Sequence, residues 1–139
     1  MNEESSNGIR AGIYARVSSG KQVEGYSLDE QIELCRERCS LNNWKLRYIF
    51  REDGKSASTT GRPKFQQMMQ KAEDGKVDTI VFWKLDRFCR SLIDVVNVEK
   101  QLREWGVTIC SLTESIDTTT SSGRFVFRTL ASAAQWERD

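Results

Sequence analysis

Histidine is absent from this 139-residue chain, and no other gap in its composition removes as much chemistry. A Ser-His-Asp or Cys-His nucleophile system is excluded, and with it general acid–base catalysis by imidazole. A serine nucleophile here would need help from arginine, lysine, a carboxylate or the substrate itself. Zinc sites want closely spaced Cys/His pairs, whereas the chain offers only Cys35, Cys39, Cys89 and Cys110. The first two lie four apart on a helical stretch and read as small reduced core residues. Neither G-x-x-x-x-G-K-[ST] nor G-x-G-x-x-G occurs, so nucleotide binding through those loops is unsupported. No Asp/Glu cluster suggests a two-metal nuclease. No metal or cofactor is expected. No apolar run approaches the roughly 20 residues needed to span a bilayer. Residues 1–8 are polar and acidic and lack the apolar core of a secretion signal, so the cytoplasm is the expected compartment. Charge excess is also lacking: 21 Lys and Arg face 20 Asp and Glu. An electrostatic footprint for nucleic acid must therefore come from local clustering of cations.

What is present reads as alternating strands and helices. Residues 9–17 are apolar and β-prone. Ser27, followed three residues later by Glu30, has capping-box spacing, and Leu28, Ile32, Cys35 and Cys39 continue it at helical intervals. Residues 44–52 alternate as a half-buried strand does, and 53–61 are a Gly/Ser/Thr-rich loop. The single proline, Pro63, suits the first turn of a helix that carries Phe65, Met68, Met69 and Ala72 and stops at Gly75. A short apolar strand follows over 78–84. Ser91 with Asp94 caps a further helix, striped by Leu92, Val95, Val96, Val98 and Leu102 and ending at Gly106. Residues 107–112 form a fourth strand. After a Thr/Ser-rich loop, a last helix runs from Gly123 to the final residue. This order predicts an α/β fold with a mostly parallel sheet and flanking helices. One domain is expected, with residues 1–8 as a disordered arm.

In such sheets, sites form outside the carboxyl ends of the strands. Those ends carry Arg16 and Lys21, then Arg62 and Lys64, then Lys84, Arg87 and Arg90. Guanidinium groups match phosphate oxygens and keep their charge. Several around one phosphate would stabilise a phosphoryl-transfer transition state without metal. Any one of these arginines taken alone reads better as part of a solvated rim; the set is harder to dismiss. Ser18 follows the first strand and is placed to attack a phosphate held by its neighbours, although Ser18-Ser19-Gly20 also reads as a plain turn. Asp86 is either a structural ion pair with Arg87 or a carboxyl group that positions a guanidinium or protonates a leaving oxygen.

Tyr14-Ala15-Arg16-Val17-Ser18 resembles the opening motif of the resolvase/invertase family of serine recombinases. Leu85-Asp86-Arg87-Phe88-Cys89-Arg90 resembles the family's second motif, and Gly123 through Glu137-Arg138 the start of its long helix. The three fall in order from about residue 9 to the last. The insertion Val23-Glu24-Gly25-Tyr26 is similar to the large members, the phage integrases and transposases. The resemblance implies a resolvase-like catalytic domain over residues 9–139 that stops before DNA-binding domains. It implies a site-specific recombinase acting on double-stranded DNA, with self-association to dimers and tetramers in the full-length protein. Ser18 would attack the scissile phosphate to give a 5′-phosphoserine link and release a 3′-hydroxyl. Arg16, Arg87 and Arg90 would bind that phosphate, with Arg62 as a further arginine and Asp86 as partner. Gln22, Gln31, Lys71, Glu137 and Arg138 fall on supporting positions. Phe125, Val126, Leu130, Ala133 and Ala134 are candidates for subunit contacts or for covering the sheet. Cys89 replaces a usual Gly or Ser, and its thiol, beside Arg87 and Arg90, is expected to have a lowered pKa. Two other readings remain: a non-catalytic interaction domain of the same fold, and a flavodoxin-like or Rossmann-like small-molecule binder.

Overall fold

A computed structural model describes residues 8–17, 26–53 and 62–138, except the side chains of Glu137 and Arg138. Five strands form one sheet in the order β2-β1-β3-β4-β5. They are β1 (Arg10–Arg16), β2 (Lys45–Glu52), β3 (Thr79–Phe82), β4 (Thr108–Ser111) and β5 (Ile116–Asp117). The first four run parallel, and only β5 is antiparallel, paired to β4. The helices are α1 (Leu28–Leu41), α2 (Pro63–Glu73), the single turn α3 (Leu85–Phe88), α4 (Leu92–Glu104) and α5 (Ser121–Arg138). The α/β architecture with a mostly parallel sheet and flanking helices is as expected.

Strand periodicity sorts the core into two layers, because successive side chains leave opposite faces of the sheet. Ala11, Ile13, Ala15, Val81 and Cys110 pack with Ile32, Cys35 and Cys39 of α1. Tyr14, Phe50, Ile80, Phe82 and Ile109 face the other way, onto Met68 and Ala72 of α2, Phe88 of α3, Val95 and Leu102 of α4 and Phe127 of α5. The chain therefore changes face between β1 and β3, its central strands. The crevice above their carboxyl ends is the topological switch point where α/β sheets bind ligands.

Local chemistry sets the helix ends. Ser27 and Glu30 make the reciprocal capping box that their spacing predicts, and the Ser91 side chain accepts from the Asp94 N–H at 3.2 Å. Gly75 and Gly106 follow α2 and α4 with φ of 75° and 80°, the left-handed conformation that glycine adopts without steric cost. Two elements depart from the expectation. A helical turn, α3, occupies part of the stretch read as a strand-end loop, and β5 lies within the stretch read as a Thr/Ser-rich loop. The last helix begins at Ser121, two residues before Gly123.

Gly123 is required by close approach: a Cβ there would lie 1.9 Å from the Asp117 carbonyl oxygen. The first turn of α5 thus packs directly on the β5 backbone. Along α5, Phe127 and Ala134 are buried and Leu130 packs against the core, whereas Phe125 and Trp136 are 70% and 80% exposed. Of the expected subunit-contact residues, Leu130 and Ala134 thus cover the sheet, while Phe125, Val126 and Ala133 face outward. Among the described residues, no helix is long and apolar enough to cross a membrane.

Candidate active site

At the end of β1, where Arg16 is still in register with Glu52 of β2, its backbone N–H and carbonyl are both bound by one side chain. Gln31, fully buried on α1, accepts from the Arg16 N–H at 3.3 Å and donates to the Arg16 carbonyl at 2.9 Å. Its amide also donates to the Tyr26 carbonyl at 3.0 Å. Gln31 therefore serves as a strut between strand end and helix start. The Arg16 side chain crosses to α3, where Nη2 donates to the Asp86 carbonyl at 2.6 Å and Nε to the Arg87 carbonyl at 3.2 Å.

Arg62 arrives from the other side of the crevice. Its Nη1 donates to the Phe88 carbonyl at 2.6 Å and reaches the Tyr14 hydroxyl at 3.4 Å. Its guanidinium stacks on the Phe65 ring, 3.7 Å from the centroid. Arg62 sits at the N-cap of α2 but makes no side-chain cap. That role falls to Glu52 at the end of β2, whose carboxylate accepts from the N–H groups of Lys64 and Phe65 at 3.2 and 3.0 Å and from the Tyr14 hydroxyl at 2.9 Å. Burial is the largest cause of a raised Tyr14 pKa, so the phenol stays protonated and donates. Residue reading overlooked Glu52 and Tyr14 as site residues. One signal was available: a helix beginning Arg-Pro has no capping oxygen of its own and must take one from elsewhere.

Arg87 is carried by α3 itself. Its Nη1 lies 3.7 Å from Asp86 Oδ1, a loose contact, and its guanidinium lies 5.5 Å from the Trp83 ring centroid. Arg87 Nε is buried with no hydrogen-bond partner among the described residues. Arg90 is exposed just beyond α3. The four charges act on one another. The Arg16 pKa is lowered, most strongly by burial, with Arg62, Arg87 and Arg90 each pushing the same way and Tyr14 opposing them. A cluster of desolvated like charges costs free energy, and the carbonyls that grip Arg16 and Arg62 orient them without cancelling their charge.

Arg16, Arg62, Asp86, Arg87 and Arg90 are thus brought together, with Gln31 directly beneath Arg16. Lys71 is placed elsewhere: it follows Arg62 by nine residues along α2, roughly 13 Å at helical rise, and its Nζ lies 5.1 Å from the Tyr48 ring centroid. Ser18 and Gln22 lie outside the described residues, as do the side chains of Glu137 and Arg138. The expected low pKa of Cys89 is overturned. The residue is 3% exposed, and burial pushes its thiol up to about 11 despite the opposing charges of Arg62 and Arg16.

The sequence pattern of the family described as "Resolvase, N terminal domain" matches residues 11–139. The chain belongs to the resolvase family. It is similar to a DNA-invertase of Enterobacteria phage P7, 36% identical over 126 residues that make up 91% of this chain and 61% of the invertase. A serine recombinase of Escherichia phage Mu is 40% identical over 88 residues, 63% of this chain and 45% of that protein. The chain thus spans about half to three-fifths of the length of these relatives. Among solved structures, the N-terminal catalytic domain of TP901-1 integrase is similar with a TM-score of 0.80 at 30% identity, covering 93% of this chain and 96% of that one. A resolvase-family site-specific recombinase from Streptococcus pneumoniae has a TM-score of 0.77 at 27% identity, covering 94% and 88%. Family membership and the likeness to an integrase catalytic domain both agree with the resemblance read from the three motifs.

Proposed function

We propose that residues 9–139 are the catalytic domain of a site-specific DNA recombinase in which Ser18 is the nucleophile. The observation that carries this reading is the convergence of Arg16, Arg62, Arg87 and Arg90 on the switch-point crevice, with Arg16 only two residues before Ser18. Carbonyls orient Arg16 and Arg62 without cancelling their charge, which leaves it available to an anion, as a scissile phosphate requires. In the proposed reaction the Ser18 hydroxyl gives up its proton as its oxygen attacks phosphorus, the bond to the 3′-oxygen breaks, and that oxygen takes up a proton and leaves as the 3′-hydroxyl, so the proton count is unchanged. The 5′-phosphoserine link conserves the phosphodiester's bond energy, so the reverse step rejoins strands without a nucleotide cofactor. Asp86 makes only a loose contact with Arg87, which favours a role in orienting that guanidinium over one as proton donor. The outward-facing Phe125, Val126 and Trp136 of α5 support self-association through this helix.

The test is covalent capture. The natural-length protein containing this chain is incubated with duplex DNA from the region adjoining its own gene, denatured, and examined for protein-linked DNA. A 5′-linked adduct that disappears in Ser18→Ala is the expected result. Cleavage without an adduct, or an adduct surviving Ser18→Ala, contradicts the proposal.

A further inference from the structure

We infer that Glu114 is a positioning residue for the arginine cluster: it anchors the one-turn helix α3, whose carbonyls hold Arg16 and Arg62. Its consequence for strand cleavage rests on the recombinase reading above.

A four-residue helix does not persist by its own hydrogen bonds, and Lys84, at the N-cap of α3, provides no side-chain cap. The β4–β5 turn supplies the missing partner. Both carboxylate oxygens of Glu114 accept from the Leu85 N–H at 3.3 Å, and the Ser111 hydroxyl donates to Oε1 and fixes the carboxylate in turn. Next to it, the Thr113 N–H and hydroxyl both donate to the Trp83 carbonyl, at 2.9 and 2.8 Å. The turn thus grips the chain just before α3 and at its first residue.

At the other end of α3, the carbonyls of Asp86, Arg87 and Phe88 take Arg16 Nη2, Arg16 Nε and Arg62 Nη1 in succession. Free carbonyls at a helix carboxyl end are the natural acceptors for guanidinium groups. Arg87 rides on α3 itself. If the amino end of α3 comes loose, Arg16 and Arg62 lose their anchors and Arg87 its orientation in one event. Glu114 makes no contact with any arginine of the cluster among the described hydrogen bonds and ion pairs; its effect passes through the backbone of α3.

The test pairs a structural signal with a rate. The Arg16 Nε–H, bound to a carbonyl, gives a shifted, slowly exchanging resonance in nitrogen-15 spectra of the chain. In Glu114→Ala this resonance is expected to collapse into the solvent-exchanging envelope. Adduct formation by the natural-length protein is expected to fall about 100-fold, the scale of an ångström-level misplacement, with DNA affinity unchanged. Glu114→Gln, whose amide oxygen still accepts from Leu85, is expected to keep the resonance and most of the rate. Persistence of the Arg16 resonance in folded Glu114→Ala overturns the inference, and so does a Glu114→Gln no better than the alanine variant. Should Glu114→Ala fail to fold, Ser111→Ala replaces it: partial loss of the resonance supports the role and no change refutes it. An unsubstituted protein that never forms an adduct defeats the recombinase reading, while the Arg16 resonance still decides the role of Glu114.

Discussion

The two ends of β1 carry the same residue under opposite electrostatics. At the amino end, Arg10 meets Asp78 through Nε and Nη2, both at 2.9 Å, and the Asp78 carboxylate also accepts the Arg10 backbone N–H at 2.8 Å. The hydrogen bond raises the Arg10 pKa and lowers that of Asp78. At the carboxyl end, Arg16 meets carbonyls and further arginines, and its pKa falls. One end is arranged for stability, because its charge is answered within the fold. At the other the charge meets only carbonyls and like charges, and on the recombinase reading proposed above it awaits a phosphate. Such perturbed groups cluster where function resides.

The largest expected effect that sharpens this contrast is on rate. Arg16→Ala should lower adduct formation about 1000-fold, near the upper end of what one donor to a transition state supplies, while Arg10→Ala leaves it within about twofold. Equal losses from the two variants would erase the distinction. Next comes the thiol within the arginine cluster. Because burial pushes the Cys89 thiol up to about 11, its alkylation in the native protein near pH 8 should run roughly 100-fold slower than in the unfolded chain. Rapid modification would mean that the cluster does activate the thiol. Inorganic phosphate should stabilise the protein by about 1.4 kcal/mol at ten times its dissociation constant, a rise of about 5 °C in Tm. Arg16→Ala should lose that rise and Arg10→Ala keep it.

The smallest effects belong to the amino end. Arg10 and Asp78 are about a third exposed, so solvent screening limits their pair to about 1 kcal/mol or less, seen as a slightly lower melting temperature in Arg10→Ala. Since the folded pKa of Asp78 is depressed, that contribution is complete above the ordinary carboxylate pKa of about 4. It is lost as pH falls through the lower folded value. The gap in melting temperature between Arg10→Ala and the unsubstituted protein should therefore close in acid. A gap that widens in acid would be inconsistent with this pairing.

The features legible in the residues were those that short-range chemistry specifies. Ser27 and Glu30, or Ser91 and Asp94, lie three positions apart, so their caps show in the sequence itself. Ala11, Ile13 and Ala15 alternate with Gly12 and Tyr14, which declares a strand with two covered faces. The arginines stood out because strand ends gather them whatever their detailed contacts. Glu52, Glu114 and α3 were not visible, since each depends on partners 12 to 38 residues away. A carboxylate that caps a distant turn looks, in sequence, like any other surface charge. The short β5 went unseen because its two residues make a strand only when β4 is beside them.

Gly123 also decides where α5 is seated. With the Asp117 carbonyl occupying the space of a side chain, the first turn of α5 keys onto β5, and buried Phe127 and Ala134 hold the turns that follow against the core. The 18 residues of α5 span roughly 27 Å. The same β5 follows the turn whose Glu114 and Thr113 hold α3, so one short strand joins the seat of the last helix to the anchor of the guanidinium groups.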